Sequence, residues 1–278
     1  MCILGPNTMT TGQNLAFLGA GNMARALLRG CLSRAGLAPE QLGVADSAPQ
    51  VLAQAAQEFG VRAFANNAEA TSWARVIVLA VKPQVLPAVL FEIAPYLTPD
   101  KLVISIAAGV TTTRVSEGLG GHARVVRAMP NTPAIVGEGA TAIVGGRSAS
   151  SDDLRASDEL FRSVGLVVHV AESMMDAVTG LSGSGPAYAF IAIEALSDAG
   201  VRAGLPREIA TKLAAQTLLG AGKLVLETGE HPGRLKDMVT SPAGTTIAGV
   251  AALEREGFRN ALLCAVDAAA TRSRELGK

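Results

Sequence analysis

The sequence predicts an α/β fold in which a parallel-sheet domain, residues 14–171, precedes an all-helical domain, residues 172–278. Three observations predict it. From Asn14 to about Val170, short β-rich apolar runs alternate with helical runs, the pattern of strands covered by helices on both faces. From about Glu172 the strand pattern stops and long Ala/Leu-rich stretches remain. A glycine cluster, Gly19-Ala20-Gly21, stands where the first strand gives way to the first helix.

Taken in order, the strands are Asn14–Leu18, Leu42–Ala45, Arg75–Ala80, Leu102–Ile106, Arg124–Arg127, Thr141–Val144 and Leu166–Val170, each rich in Val, Ile or Leu. Helical stretches such as Asn22–Ala35 and Ala48–Phe59 lie between them. Such alternation means βαβ units and a mostly parallel sheet. The later helices are Pro186–Ala203, Pro206–Glu227, Thr246–Arg255 and Arg259–Glu275, punctuated at Gly204–Pro206, Gly229–Gly233 and Gly257. Residues Ala187–Leu196 are apolar nearly all round. A helix of that kind is buried on every side. A small helical domain rarely supplies that cover alone, so a second chain is expected to do so, a central helix within the single chain being the alternative.

The 278 residues suffice for two ordinary domains. With 49% apolar and only 4% aromatic residues, the core must be built from Ala, Val, Leu and Ile. Acidic and basic residues balance at 24 each, with no basic stripe, which argues against nucleic-acid or anionic-membrane partners. Cys2, Cys31 and Cys264 have neither metal-ligand nor disulfide spacing, so a reducing cytoplasm is expected. No apolar run reaches the ~18–20 residues of a membrane span. Met1 to Gln13 lack the basic start and apolar core of a signal peptide. Met1 and Met9 are both possible start residues.

Gly19, Gly21 and Ala24 fit G-x-G-x-x-G/A after the strand Leu15-Ala16-Phe17-Leu18. Gly19 permits a tight turn, Gly21 admits a pyrophosphate to the backbone, and Ala24 allows close helix–strand packing. The diphosphate would then lie at a helix N-terminus, on free N–H groups. This predicts a Rossmann-type dinucleotide site. Asp46 ends the second strand, where an acid would hold ribose hydroxyls, and no Lys or Arg follows nearby to pair a 2′-phosphate. NADH is therefore favoured over NADPH. A helix cap by Asp46 or Ser47 is the structural alternative. Ala80-Val81-Lys82-Pro83 and Ile106-Ala107-Ala108-Gly109 end strands at the ligand-binding edge. Lys82 there is either a phosphate partner or a solvated lysine. Asn131 and Thr132, between Pro130 and Pro133, either orient a nicotinamide carboxamide or form a structural turn.

In the helical domain, Leu181-Ser182-Gly183-Ser184-Gly185-Pro186 reads as a helix entry, with Pro186 in the first turn and Ser184 able to cap. Thr240-Ser241-Pro242-Ala243-Gly244-Thr245-Thr246 offers hydroxyls and unpaired N–H groups at another helix start. That suits a carboxylate, and a plain Ser/Thr cap is the alternative.

Five ordered segments now combine: Gly19–Ala24, Ala80–Pro83, Met129–Pro133, Leu181–Tyr188 and Thr240–Thr246. On them, from about Asn14 to Glu275, the chain resembles the pyrroline-5-carboxylate reductases. The resemblance implies a Rossmann domain plus a helical domain that dimerises by interleaving helices, with dimers building a larger ring. It implies an active site shared by the cofactor domain of one chain and the helical domain of its partner. Leu18, Gly19, Ala20, Gly21, Asn22, Met23, Ser47, Asn67, Ala80, Val81, Lys82, Pro83, Ile106, Ala107 and Ala108 would line NADPH or NADH. Ser241, Ala243, Gly244, Thr245 and Thr246 would hold the substrate. Two positions depart from the family pattern. Ala243 stands where many members have Gly, with little effect expected, and Met238 where an amide is common. The implied reaction is hydride transfer to C5 of the ring C=N bond of 1-pyrroline-5-carboxylate, giving L-proline. Thr246 is the expected catalytic group, serving the ring nitrogen. His122, His169 and His231 lie outside the five segments, and no metal cluster is expected. Two rivals are weighed. A β-hydroxyacid dehydrogenase needs a Lys early in the second domain, yet none follows Pro186 before Lys212. A non-catalytic dinucleotide sensor has no need of the hydroxyl cluster at 241–246.

Overall fold

A computed structural model describes residues 13–277. Cys2 and the choice between Met1 and Met9 as start lie outside the described residues. The first part of the chain forms one sheet from β1 (Leu15–Leu18), β2 (Leu42–Ala45), β3 (Arg62–Phe64), β4 (Val76–Leu79), β5 (Leu102–Ser105), β6 (Arg124–Met129), β7 (Gly139–Gly145) and β8 (Gly165–His169). Its order is β3-β2-β1-β4-β5-β6-β7-β8. Neighbours are parallel except β6 and β7, which are antiparallel. Between strands run α1 (Asn22–Ser33), α2 (Pro49–Phe59), α3 (Asn67–Trp73), α4 (Leu86–Ile93), α5 (Thr112–Gly118) and α6 (Ser151–Arg162).

Successive strand residues point to opposite faces, and both faces are covered. Leu15 and Phe17 join Leu27 and Leu28 of α1 and Phe161 of α6 in one buried cluster. Ala16 and Leu18 join Leu86, Val89 and Ile93 of α4 in the other. Each large side chain of this kind contributes about 1.5–3 kcal/mol when fully buried, which is why β1 is apolar throughout. Gly60, in the left-handed region at φ 66°, ends α2. Ser150 and Asp153 form a reciprocal capping box at the start of α6.

The expected strands are present within one or two residues of their bounds. Strand β3 was not expected: it has three residues, and Arg62 and Ala63 are exposed, so no periodicity marks it. The chain then forms α7 (Met175–Val178), α8 (Gly185–Arg202), α9 (Arg207–Thr228), α10 (Pro232–Met238), α11 (Thr245–Arg255) and α12 (Phe258–Leu276). The reading of Gly229–Gly233 as punctuation concealed α10, which starts at Pro232.

By packing, the described chain forms two compact units, 13–183 with 269–277, and 184–268. The loss of strand pattern at 172 marks a change of secondary structure, while 172–183 still packs with the sheet. Glu172 accepts from Arg127 Nη1 (2.6 Å) and Thr112 Oγ1 (2.8 Å), and Asp176 accepts from Ser273 Oγ (2.6 Å).

In the second unit α8 and α9 approach closely. A Cβ on Gly200 would stand 3.0 Å from Ala210 Cβ, and Ser197 Oγ lies 2.7 Å from Thr211 Oγ1. Neither buried apolar cluster draws a residue from 184–268. Phe190 and Ile191, within the stretch expected to be covered all round, are 62% and 65% exposed in the single chain. Among the described residues no helix is long and apolar enough to cross a membrane.

Candidate dinucleotide and substrate sites

The two fingerprint glycines have different physical reasons. Gly19 has φ 104°, and a Cβ there would lie 2.7 Å from Ala80 O and 2.9 Å from Ala80 C. Its N–H donates to Ala45 O at 2.8 Å. The turn is thus wedged between β2 and β4, where only glycine fits. Gly21 precedes α1 with φ −70° and ψ −177°, and a Cβ on it would meet nothing within 4 Å. Open space therefore lies at Gly21, beside the free first-turn N–H groups of α1. Ala24 is fully buried. These features fit a diphosphate held by α1.

At the end of β2, Asp46 Oδ2 accepts the Ala20 N–H and Oδ1 accepts the Ala48 N–H, both at 2.8 Å. The carboxylate thus braces the fingerprint loop from below. Neither Asp46 nor Ser47 is the N-cap of α2; Ala48 is, and its methyl side chain makes no cap bond. Ser47 is exposed. Asn67 opens α3, and its N–H and Nδ2 both donate to Glu92, at 3.1 and 2.7 Å. Lys82 is exposed at the end of β4. Pro83 lies in a turn closed by Val85 N–H to Lys82 O (3.0 Å) rather than in the first turn of α4, where Pro87 stands.

The small-residue loop Ile106-Ala107-Ala108 is held from several sides. Ala107 N–H reaches Ser105 Oγ at 3.4 Å, and Gly109, at φ 75°, would bring a Cβ to 3.4 Å from Gly277 N. Arg114 Nη1 donates to Gly277 O (3.3 Å). Arg127, almost fully buried on β6, pairs with Glu172. Glu92, Glu172 and Arg127 escaped the sequence reading. Their partners are 25 to 60 residues away, and a single Glu on a helix reads as a solvated face.

Asn131 is held within the chain. Its Oδ1 accepts the Ala140 N–H (2.8 Å), while Nδ2 donates to Ser182 O (3.1 Å) and reaches Ser182 Oγ (3.4 Å). The amide links the loop after β6 to the π-helical turn Thr179–Gly183, the structural role that the sequence offered beside a nicotinamide contact. Ser184 occupies the N-cap position of α8 but makes no side-chain cap bond.

In the second unit, Ser241-Pro242-Ala243-Gly244 is a turn closed by Gly244 N–H to Ser241 O (3.1 Å). Pro at its second place and φ 56° at Ala243 follow the type II pattern, whose third place favours Gly. Ala243 is the one non-glycine with positive φ among the described residues. The expectation that Ala here matters little is thus revised: it sits in a conformation that costs roughly 1–2 kcal/mol in an L-residue. A Cβ on Gly244, the N-cap of α11, would collide with Ser241 Oγ. Since no side chain caps α11, the Thr245 and Thr246 hydroxyls are not used as caps, and the first-turn N–H groups remain. Met238 is 73% exposed. His231 caps α10 through Nδ1, accepting from Gly233 N–H (3.0 Å), and His169 Nε2 lies 3.0 Å from Asp158. Burial pushes the Cys31 thiol up to about 12, so it is inert. Among the described residues no group of His, Cys, Asp or Glu could hold a metal.

The wedged glycine turn at the carboxyl edge of a mostly parallel sheet is the geometry of a dinucleotide site, and with the family models and relatives that follow, the chain is an NAD(P)H-dependent oxidoreductase. The family model described as pyrroline-5-carboxylate reductase dimerisation matches residues 172–276, and that described as NADP oxidoreductase, coenzyme F420-dependent, matches 14–109. A pyrroline-5-carboxylate reductase of Methanosarcina acetivorans is 49% identical over 96% of this chain and 98% of its own; that of Escherichia coli is 43% identical over 96% and 99%. The solved pyrroline-5-carboxylate reductase of Coxiella burnetii superposes with TM-score 0.89 at 39% identity, covering 96% of this chain and 99% of that one. The Plasmodium falciparum pyrroline carboxylate reductase, solved with NADP bound, gives 0.87 at 34% identity, with coverage of 96% and 99%. The chain belongs to the pyrroline-5-carboxylate reductase family.

Proposed function

We propose that this protein reduces 1-pyrroline-5-carboxylate to L-proline with NADPH or NADH, the last step of proline biosynthesis. The observation that supports it best is the start of α11: uncapped N–H groups and two free threonine hydroxyls on a rigid turn. An anion fits the N–H groups, and a neutral donor–acceptor fits a ring nitrogen. Gly19 to Met23, with Leu18, Ala80 to Pro83 and Ile106 to Ala108, would hold the dinucleotide, which supplies the hydride. Thr245 and the N–H groups of Thr245 and Thr246 bind the carboxylate. Thr246 bonds the ring nitrogen and relays a proton to it as the hydride adds to C5, so one hydride and one proton complete the amine. The protein's contribution is alignment. Residues 14–171 serve the cofactor, and 172–278 the substrate and dimer contacts. The exposed α8 and α9 faces of the second unit suit a homodimer, built into a larger ring in the cytoplasm.

The test is steady-state oxidation of NADH and NADPH, side by side, with 1-pyrroline-5-carboxylate and chromatographic detection of proline. Rapid turnover with proline formed is expected. Tight cofactor binding without turnover of any cyclic imine would replace this reading with the dinucleotide sensor.

A further inference from the structure

We propose that Glu92 is a positioning residue which, through Asn67, biases the cofactor site toward a ribose with a free 2′-hydroxyl; this rests on the fingerprint binding a dinucleotide. In register, Ala45 of β2 lies beside Phe64 of β3, so Asp46 and the start of α3 occupy the same edge of the sheet. Asn66, not Asn67, caps α3, its Oδ1 accepting the Glu69 N–H at 2.8 Å. Asn67 is thereby left without a capping role, and Glu92 fixes it twice, through the main-chain N–H and through Nδ2.

That pair of hydrogen bonds decides which way the amide faces. An ionised carboxylate only accepts, so it must meet the amide nitrogen. Oδ1 of Asn67 is then the polar atom left to a ligand, and it is an acceptor. Asp46 on the neighbouring strand is also an acceptor, and negative. Glu92 adds a second negative charge, and it forms no ion pair among the described residues. Residues 47–61 contain no Lys or Arg. Arg62 lies over the Phe64 and Trp73 rings, at 4.9 and 5.7 Å. Two acceptors and two carboxylates suit a hydroxyl, which can donate. They oppose a phosphate, which brings two negative charges and only acceptor oxygens. Asp46 alone would read as a ribose acid; Glu92 makes the preference depend on a second residue that need not touch the ligand.

The experiment is calorimetric titration of the full-length protein with ADP-ribose and with 2′-phospho-ADP-ribose, which isolate the ribose end from the hydride chemistry. The wild type is expected to bind ADP-ribose at least as tightly. Glu92→Gln removes the charge and frees the amide to turn. It is expected to move the ratio of the two dissociation constants about tenfold toward the phosphorylated ligand, the scale of one charge-assisted hydrogen bond. Asn67→Ala should weaken ADP-ribose about fivefold and the phosphorylated ligand less. A ratio unchanged in Glu92→Gln, with an unaltered melting temperature, overturns the proposal. Should that variant not fold, equal losses for both ligands in Asn67→Ala overturn it. A wild type that binds neither ligand removes the dinucleotide reading itself, and the proposal with it.

Discussion

Replacing Gly19 by alanine separates two meanings of the fingerprint, because Gly21→Ala provides the contrast. At Gly19 the φ of 104° costs an L-residue about 1–2 kcal/mol. The added Cβ would also meet main-chain atoms of Ala80 at 2.7 and 2.9 Å, and these cannot swing aside as a side-chain tip can. The turn must shift, and with it the Ala20 N–H to Asp46 bond, worth about 1 kcal/mol more. Together this is about 2–3 kcal/mol, or a loss of roughly 30- to 150-fold if it falls wholly on the binding-competent loop. At Gly21 the backbone is ordinary and the space open, so the melting temperature should stay within about 1 °C of wild type while dinucleotide affinity falls. The assay is quenching or transfer of nicotinamide fluorescence on binding, paired with a thermal melt. A Gly19→Ala variant that binds within threefold of wild type and melts with it would refute the wedge. A Gly21→Ala variant that also binds normally would refute the open space as the diphosphate site.

Thr246→Ala should lower kcat about 100-fold, the lower range for a positioned proton-transfer group, with cofactor affinity unchanged; an unchanged kcat in stopped-flow turnover removes Thr246 from the mechanism. Ala243→Gly relieves the left-handed turn residue but frees the unfolded chain. The balance is a gain of about 0.5–1 kcal/mol, read as a modest rise in melting temperature; a fall would contradict the turn geometry. Asp153 is buried, which raises its pKa, but Arg124 and Ser150 outweigh this and hold its carboxyl below the ordinary range. Its stabilising effect is therefore complete above the unfolded value of about 3.9 and is lost as pH falls through the lower folded value. Asp153→Asn should cost about 2–3 kcal/mol at neutral pH, and the gap between the two melting curves should close below about pH 4.

Much of the fold was legible because its causes are local. Leu15–Leu18 and Val76–Leu79 are apolar at every position since both faces of the sheet are covered, and that shows in any window of four residues. The glycine pair was legible because its spacing is set by one turn. What escaped has distant causes. Arg62–Phe64 becomes a strand only because Gly43–Ala45 is there to pair it. The role of Asn131 depends on Ser182, 51 residues on. Asp46 was legible as a strand-end acid, but not as a brace for Ala20. The strain at Ala243 came from the turn, which Pro242 announced and which the small size of alanine disguised.

The return of residues 269–277 to the first unit bears on how the chain matures. Gly109, Arg114 and Asp176 have their partners at Ser273 and Gly277, beyond the whole of 184–268. Synthesis at about 5–20 residues per second puts on the order of ten seconds between the two. For that interval the nascent sheet domain has every strand but lacks its last packing, and the loop at Ala107–Gly109 is finished only once residues 269–277 have been made.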